Sequence, residues 1–216
     1  MNKNVKIGAC VWNYDVCRRG VMAKVTYLTK EETEAFFRSI PLEQRRDRLL
    51  FDLIYRHGLR RQEAALLRTE SVKDGRIWIY RLKGGVSGEY ALHPTSQELL
   101  YEYLQDGKNP HNPFLFNSRQ SRRKHPLSTS TIRAAFSLYA KKAGLPAEKQ
   151  HVHILRHSIA VHLMNAGLDL SDVQDWLGHK AVTSTTVYAK ITNKRREQTH
   201  EKAINSEDIA RTNAPS

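Results

Sequence analysis

The sequence is poor in sulfur and contains no long apolar run. Its two cysteines, Cys10 and Cys17, are too few among 216 residues for a disulfide scaffold, and their spacing is not one that ligates zinc. No apolar stretch approaches the ~20 residues that span a bilayer. The opening stretch, MNKNVKIGACVWNYDVCRRG, lacks the apolar centre of a secretory signal. A cytoplasmic protein with no membrane partner is therefore expected. Acidic residues are scarce relative to basic ones: 22 Asp+Glu stand against 35 Lys+Arg, a formal charge of +13. Such an excess suits a polyanionic partner, most often nucleic acid. Charge alone leaves a ribosomal protein, a repressor, a nuclease and a membrane-surface binder open. The rest of the composition, 40% hydrophobic and 26% charged, fits one globular domain with a real core.

Residues 1–27 show no sustained period and read as an extension. Thr29 followed by Glu32 is a capping-box pattern opening a short helix. From Arg45 to His57, Leu49, Leu50, Leu53 and Ile54 recur at helical spacing, with Gly58 as the stop. Arg60 to Arg68 reads as another short helix offering Ala64, Leu66 and Leu67 to the core. The period then changes. Arg76 to Leu82 and Glu89 to Leu92 read as two strands joined by the glycine-rich turn Lys83–Gly88. Helices fit 95–105, 129–143 and 154–166, ending near Gly107, Gly144 and Gly167, and another runs from Ser171 to Leu177 before Gly178. A helical stretch lies around Thr185–Ile191, and a polar tail follows from Asn193. The expected fold class is mainly α with a small antiparallel β-sheet (α+β).

The last third concentrates chemistry: His153-Ile-Leu-Arg156-His157, then Leu177-Gly-His179, then Tyr188. His153 and Arg156 are three positions apart, so both face one way if they open a helix. Upstream, Arg60 follows a helix break at Gly58-Leu59, and Lys83 sits on the hairpin turn. Arginines, a lysine, histidines and a tyrosine with no carboxylate cluster suit attack on a phosphodiester without a metal ion or other cofactor. Arginine's fork of donors matches two non-bridging oxygens. Cations favour the phenolate of a tyrosine. Its attack would store the energy of the broken strand in a phosphotyrosyl ester, so no ATP is needed to reseal. The leaving sugar oxygen needs a proton, which a lysine on a turn can give.

With these residues in order, the sequence resembles the tyrosine recombinase (phage integrase) family from about Leu28 to Ile191. Gly58-Leu-Arg60-Arg-Gln-Glu63 resembles its first box, which implies a catalytic Arg60 and a supporting Glu63. Lys83 stands where the family's hairpin lysine acts as general acid. His153-Ile-Leu-Arg156-His157 resembles the second box, implying catalytic His153 and Arg156, with His157 supporting. Leu177-Gly-His179 resembles the next element, and Tyr188 the nucleophile. The resemblance implies site-specific recombination of DNA through a 3′-phosphotyrosyl link and a free 5′-hydroxyl. Integration, excision and inversion are all open outcomes. It also implies double-stranded DNA recombination sites as partner and a homo-tetramer on DNA.

The implied organisation is a catalytic domain over 28–192 and a C-terminal tail, 193–216, with a helix that neighbours could exchange. The extension 1–27 holds no full core-binding domain. That shortage, with the hairpin Ile79-Tyr-Arg-Leu-Lys83-Gly-Gly and His93-Pro94, brings the chain nearest to minimal members such as the fimbrial phase-variation invertases. It also points to an accessory DNA-bending protein, and to nucleoid association within the cytoplasm.

Each residue also has a plainer reading. Arg60 could be a solvated helix-start arginine, with Arg61 beside it the catalytic one, and Lys83 an ordinary turn lysine. Glu63 could pair with any local cation. His157 could be packed, and His151 and His162 structural or exposed. Arg119, Arg122, Arg123 and Lys124 form an acid-free run that suits a solvated loop or phosphate contact, and Thr131 and Arg133 sit on a helix that could enter a groove. Two other functions share these features: a DNA-binding regulator with this fold and no turnover, and a metal-dependent nuclease. The His153/His157 spacing lacks the glutamate of a zinc helix, so no metal is expected.

Overall fold

In the computed structural model, residues 26–82, 84–105, 112–117 and 125–178 are described. Thr29 opens the first helix, α1 (Lys30–Arg38), by the reciprocal capping its sequence predicts. The Thr29 hydroxyl accepts from the Glu32 amide, while the Glu32 carboxylate accepts from Thr29 N–H at 2.8 Å. Helix α2 (Arg45–Arg56) is central, and Leu49 to Ile54 are all buried. It packs against α4 (Pro94–Gln105) and α6 (His153–Ala166), while α5 (Thr129–Lys142) closes over α1 and the short α3 (Arg61–Ala65).

The main core is aromatic at its centre. The Phe36 ring lies 5.6 Å from that of Phe51 and 4.7 Å from that of Phe136. Two carboxylates reach this interior and both are satisfied. Asp47 accepts from the Tyr139 hydroxyl at 2.9 Å and Asp52 from the Ser96 hydroxyl at 2.5 Å. A second, smaller cluster joins Ile159, Val161 and Met164 of α6 to Val173 and Leu177 of α7 (Leu170–Leu177). The chain comes in across α6: Leu28 N–H donates to Ser158 Oγ at 2.8 Å, and the Leu28 carbonyl lies 2.9 Å from His162 Nε2. His162 is thereby structural, its Nδ1 lying 2.7 Å from the Tyr55 hydroxyl.

The sheet has three antiparallel strands in the order β1 (Val72–Lys73), β2 (Arg76–Ile79) and β3 (Gly88–Ala91), with Ile77 opposite Tyr90 and Ile79 opposite Gly88. The fold class is as expected, with three differences. Strand β1 has two residues, too short to show a period, and was not anticipated. The expected strand from Arg76 ends at Ile79, where Tyr80–Leu82 leave the ladder for the turn. Helix α3 stops at Ala65 rather than Arg68, so Leu66 turns outward at 42% exposure while Ala64 and Leu67 stay buried. Helices α5, α6 and α7 stop beside Gly144, Gly167 and Gly178 as expected. The stop at Gly107, the stretch 185–191 and the tail from Asn193 lie outside the described residues.

Candidate active site

Four pieces of chain converge beside α6: the break after α2, the start of α3, the segment after β2 and the end of α7. Leu59 is buried and draws the chain inward, so Arg60 precedes α3 with its side chain about a quarter exposed. Glu63, one turn on, has a fully enclosed carboxylate that gathers four donors. It accepts from Arg60 N–H at 2.9 Å, the Arg60 guanidinium at 2.6 Å, Leu82 N–H at 3.1 Å and Arg81 Nη1 at 3.2 Å. Burial pushes this carboxyl's pKa up, but the hydrogen bonds and the Arg81 charge prevail and hold it below the usual range. Glu63 is thus an ionised bridge between α3 and the hairpin. Arg61 is exposed on the first position of α3 and has no hydrogen bond or ion pair to Glu63 among the described residues.

Arg156 rises from the first turn of α6 and is buried. Its guanidinium donates to the Gly58 carbonyl and, at 2.9 Å, to that of Leu177. Two residues after Gly58 comes Arg60, so one loop carries the first arginine and anchors the second. His153 lies at the mouth of α6, and its ring meets that of His157 edge-on at 4.6 Å. Crowding by the surrounding protein and the charges of His157, Arg156 and Arg60 lower its pKa to about 3. His153 as a residue is nonetheless exposed to solvent. His157 is lowered to about 4, by burial first and then by His151 and Arg156. Both imidazoles are therefore neutral at pH 7. His151 is exposed.

Sequence reasoning missed Arg81. Its side chain is fully enclosed. Besides Glu63, it donates to the carbonyls of His57 at 3.0 Å, Gly58 at 3.4 Å and Trp176 at 2.8 Å. Its guanidinium carbon stands 5.6 Å from the Tyr90 ring centre. The buried His57 ring lies parallel to the Trp176 indole, which itself donates to the Arg56 carbonyl at 2.9 Å.

Backbone approaches the hub closely where side chains are missing. Gly178 ends α7 at φ +64°, and a Cβ there would stand 2.8 Å from Arg81 Cγ. A Cβ on Gly85 would stand 2.6 Å from the Gly178 carbonyl oxygen, and Val86 N–H donates to that same oxygen at 3.3 Å.

The structure therefore brings together Arg60, Glu63, His153, Arg156 and His157. Thr131 and Arg133 are exposed on α5, and the Thr131 amide is bound to the capping hydroxyl of Ser128. Lys83, Arg119, Arg122, Arg123, Lys124, His179 and Tyr188 lie outside the described residues.

Comparison with known proteins agrees with this picture. The family model described as the phage integrase family matches residues 26–195. The tyrosine recombinase XerA of Pyrococcus furiosus is 33% identical over 179 residues, covering 82% of this chain and 61% of that protein. XerA of Pyrococcus horikoshii is 35% identical over 161 residues, covering 73% of this chain and 55% of that protein. Both relatives are thus matched over less than two thirds of their own length. A solved structure of the XerH site-specific recombinase, bound to palindromic difH substrate as a post-cleavage complex, superposes with a TM-score of 0.69 at 28% identity, over 82% of this chain and 53% of that one.

Proposed function

The chain belongs to the phage integrase family, and from that premise we propose that it is a site-specific DNA recombinase that cuts and rejoins strands through a 3′-phosphotyrosyl intermediate. The observation that carries this reading is the shared Gly58 loop, which presents Arg60 while its carbonyl anchors Arg156. Two guanidinium groups fixed from one loop suit the two non-bridging oxygens of a phosphodiester, whose charge grows in the transition state.

In the proposed reaction the Tyr188 phenol oxygen attacks phosphorus and the bond to the 5′-oxygen breaks. Arg60, Arg156 and His179 stabilise the charge, and Lys83 gives its proton to the departing 5′-oxygen. His153 is neutral at pH 7 and so able to relay the phenol proton. Glu63 holds Arg60 in place, and His157 packs against His153. The reaction uses no metal and no ATP.

Recombining two sites needs four strand breaks and four nucleophiles, hence a homo-tetramer on double-stranded DNA. The tail 193–216 is a candidate for the segment exchanged between neighbours. Arg119, Arg122, Arg123, Lys124, Thr131 and Arg133 are candidate DNA contacts, phosphate contacts adding salt dependence rather than sequence choice. An accessory DNA-bending protein would assist, and the place of action is the nucleoid in the cytoplasm. The hairpin Ile79–Gly85 with His93-Pro94 favours the minimal, fimbrial-invertase-like type.

The test is covalent trapping. The protein is incubated with nicked, fragmented DNA of its source strain, and any protein–DNA adducts are recovered and sequenced. An adduct at a recurring site, lost in Tyr188→Phe and unchanged in EDTA, is the expected result. Complete absence of adduct would overturn the reading in favour of a regulator that binds without turnover. Cleavage abolished by chelation would favour a metal nuclease.

A further inference from the structure

Arg81 is not among the residues assigned to the chemistry, yet its side chain is fully enclosed at the site. Burying a guanidinium is costly unless its donors find acceptors. The two terminal nitrogens of Arg81 offset that cost with one carboxylate and three backbone carbonyls drawn from separate pieces of chain, while its buried Nε has no partner among the described residues. His57 and Gly58 belong to the break before Arg60, Glu63 to α3 and Trp176 to the end of α7. Its own backbone is held from the other side of the turn, where Ser87 Oγ accepts from Arg81 N–H at 3.0 Å. The next residue, Leu82, donates to Glu63, and Val86 donates to Gly178. One guanidinium therefore ties together the Arg60 loop, Glu63 and the end of α7, and the flanks of the turn bond to Glu63 and Gly178 beside it.

We propose that Arg81 is a positioning residue that sets the β2–β3 turn against the Arg60 loop and the end of α7, and so governs protonation of the leaving oxygen. The proposal rests on the recombinase reading for its chemistry, because Lys83 follows Leu82 in the chain and is the proton source there. Arg81 touches no reacting atom in this scheme. A lysine would not replace it, since its one nitrogen, with three donors, cannot reach the four acceptors that two guanidinium nitrogens share.

The chemistry gives a specific test. In cleavage, the Tyr188 oxygen bonds to phosphorus as the P–O5′ bond breaks, and the 5′-oxygen must gain a proton. If sulfur replaces that bridging oxygen, the leaving group departs as a thiolate, because thiols ionise near pH 8.5. It then needs no proton donor. The site recovered by trapping is prepared as two nicked duplexes, one with oxygen and one with sulfur at the scissile 5′ position.

Arg81→Met is expected to slow adduct formation on the oxygen duplex by roughly 10- to 100-fold, and on the sulfur duplex by at most about threefold. Arg81→Lys should behave like Arg81→Met, and Ser87→Ala should show the same pattern more weakly. Hydrogen exchange without DNA supplies a second reading. The Leu82 and Val86 amides should exchange faster in Arg81→Met, while those of α2 stay as they were. Equal slowing on both duplexes, no slowing on either, or unchanged exchange at Leu82 and Val86 would overturn the proposal. If the wild type forms no adduct, the recombinase reading falls, and the exchange data still decide whether Arg81 holds the turn.

Discussion

The aromatic core under α2 and the polar hub beside it bury their side chains equally deeply by opposite means. Phe36 and the Arg81 side chain are both fully enclosed. Phe36 is held by contact area and shape against Phe51 and Phe136, which are non-directional and tolerate neighbours of similar volume. Arg81 and Glu63 are held by directed bonds, each of which fixes where a particular backbone segment must lie. The core makes the domain stable. The hub decides how its parts face one another, and the arginines stand on that side.

The sharpest way to break this contrast is to damage the core alone. Phe36→Ala is expected to cost about 3–5 kcal/mol of stability in urea unfolding. The rate of adduct formation per folded molecule at low temperature should stay as in the wild type. A parallel loss of rate would mean that the core shapes the site directly.

Acid should strike the hub next. Burial first, then the charges of Arg81, Arg56 and His93, lower the pKa of His57 from 6.5 to about 4. Below pH 6.5 the unfolded chain therefore takes up a proton that the folded chain refuses, so stability falls as pH drops from 6.5 towards 4. The full difference is roughly 3 kcal/mol. Glu63 acts in the same sense at lower pH: its folded pKa is depressed, so its contribution disappears as acid protonates it. Urea midpoints measured from pH 7 to pH 4 check this, and His57→Phe, which keeps a ring beside Trp176, should make the slope above pH 4.5 shallower, leaving the part due to His153 and His157.

A smaller perturbation separates the regions further. Gly85→Ala places a methyl 2.6 Å from the Gly178 carbonyl and 2.8 Å from Arg81 Cβ. Overpacking of this kind costs about 1–3 kcal/mol. Unlike Phe36→Ala, it should lower the adduct rate per folded molecule by more than its small effect on the urea midpoint implies.

The helices were legible because α1, α2, α5, α6 and α7 combine a regular apolar period with caps or terminal glycines. Two-residue β1 carries no period at all, and a helix read on to Arg68 turns Leu66 inward, whereas the chain leaves the helix after Ala65 and exposes it. Arg60, Glu63, His153 and Arg156 are legible as candidates through the boxes their stretches resemble and the order of those boxes, and the structure brings the four together. Arg81 was overlooked although a signal for it exists. Ile77 and Ile79 face inward on β2, and continuing the alternation by two residues puts an arginine on the buried side. A cation in that register calls for a buried acid, and Glu63 is that acid. Its three carbonyl partners could not be read in advance, because main-chain oxygens leave no mark in a sequence.

Those carbonyls have a consequence for how the site endures mutation. Arg81 and Arg156 fasten to oxygens of His57, Gly58, Trp176 and Leu177 that belong to the backbone. A side-chain substitution at those positions cannot delete the acceptor; it can only move it. Genetic drift therefore has few ways to unmake this hub, and the most direct are changes at residues 63 and 81. In descendants of this sequence those two positions should change together or not at all, while the four that supply the carbonyls answer to space and packing.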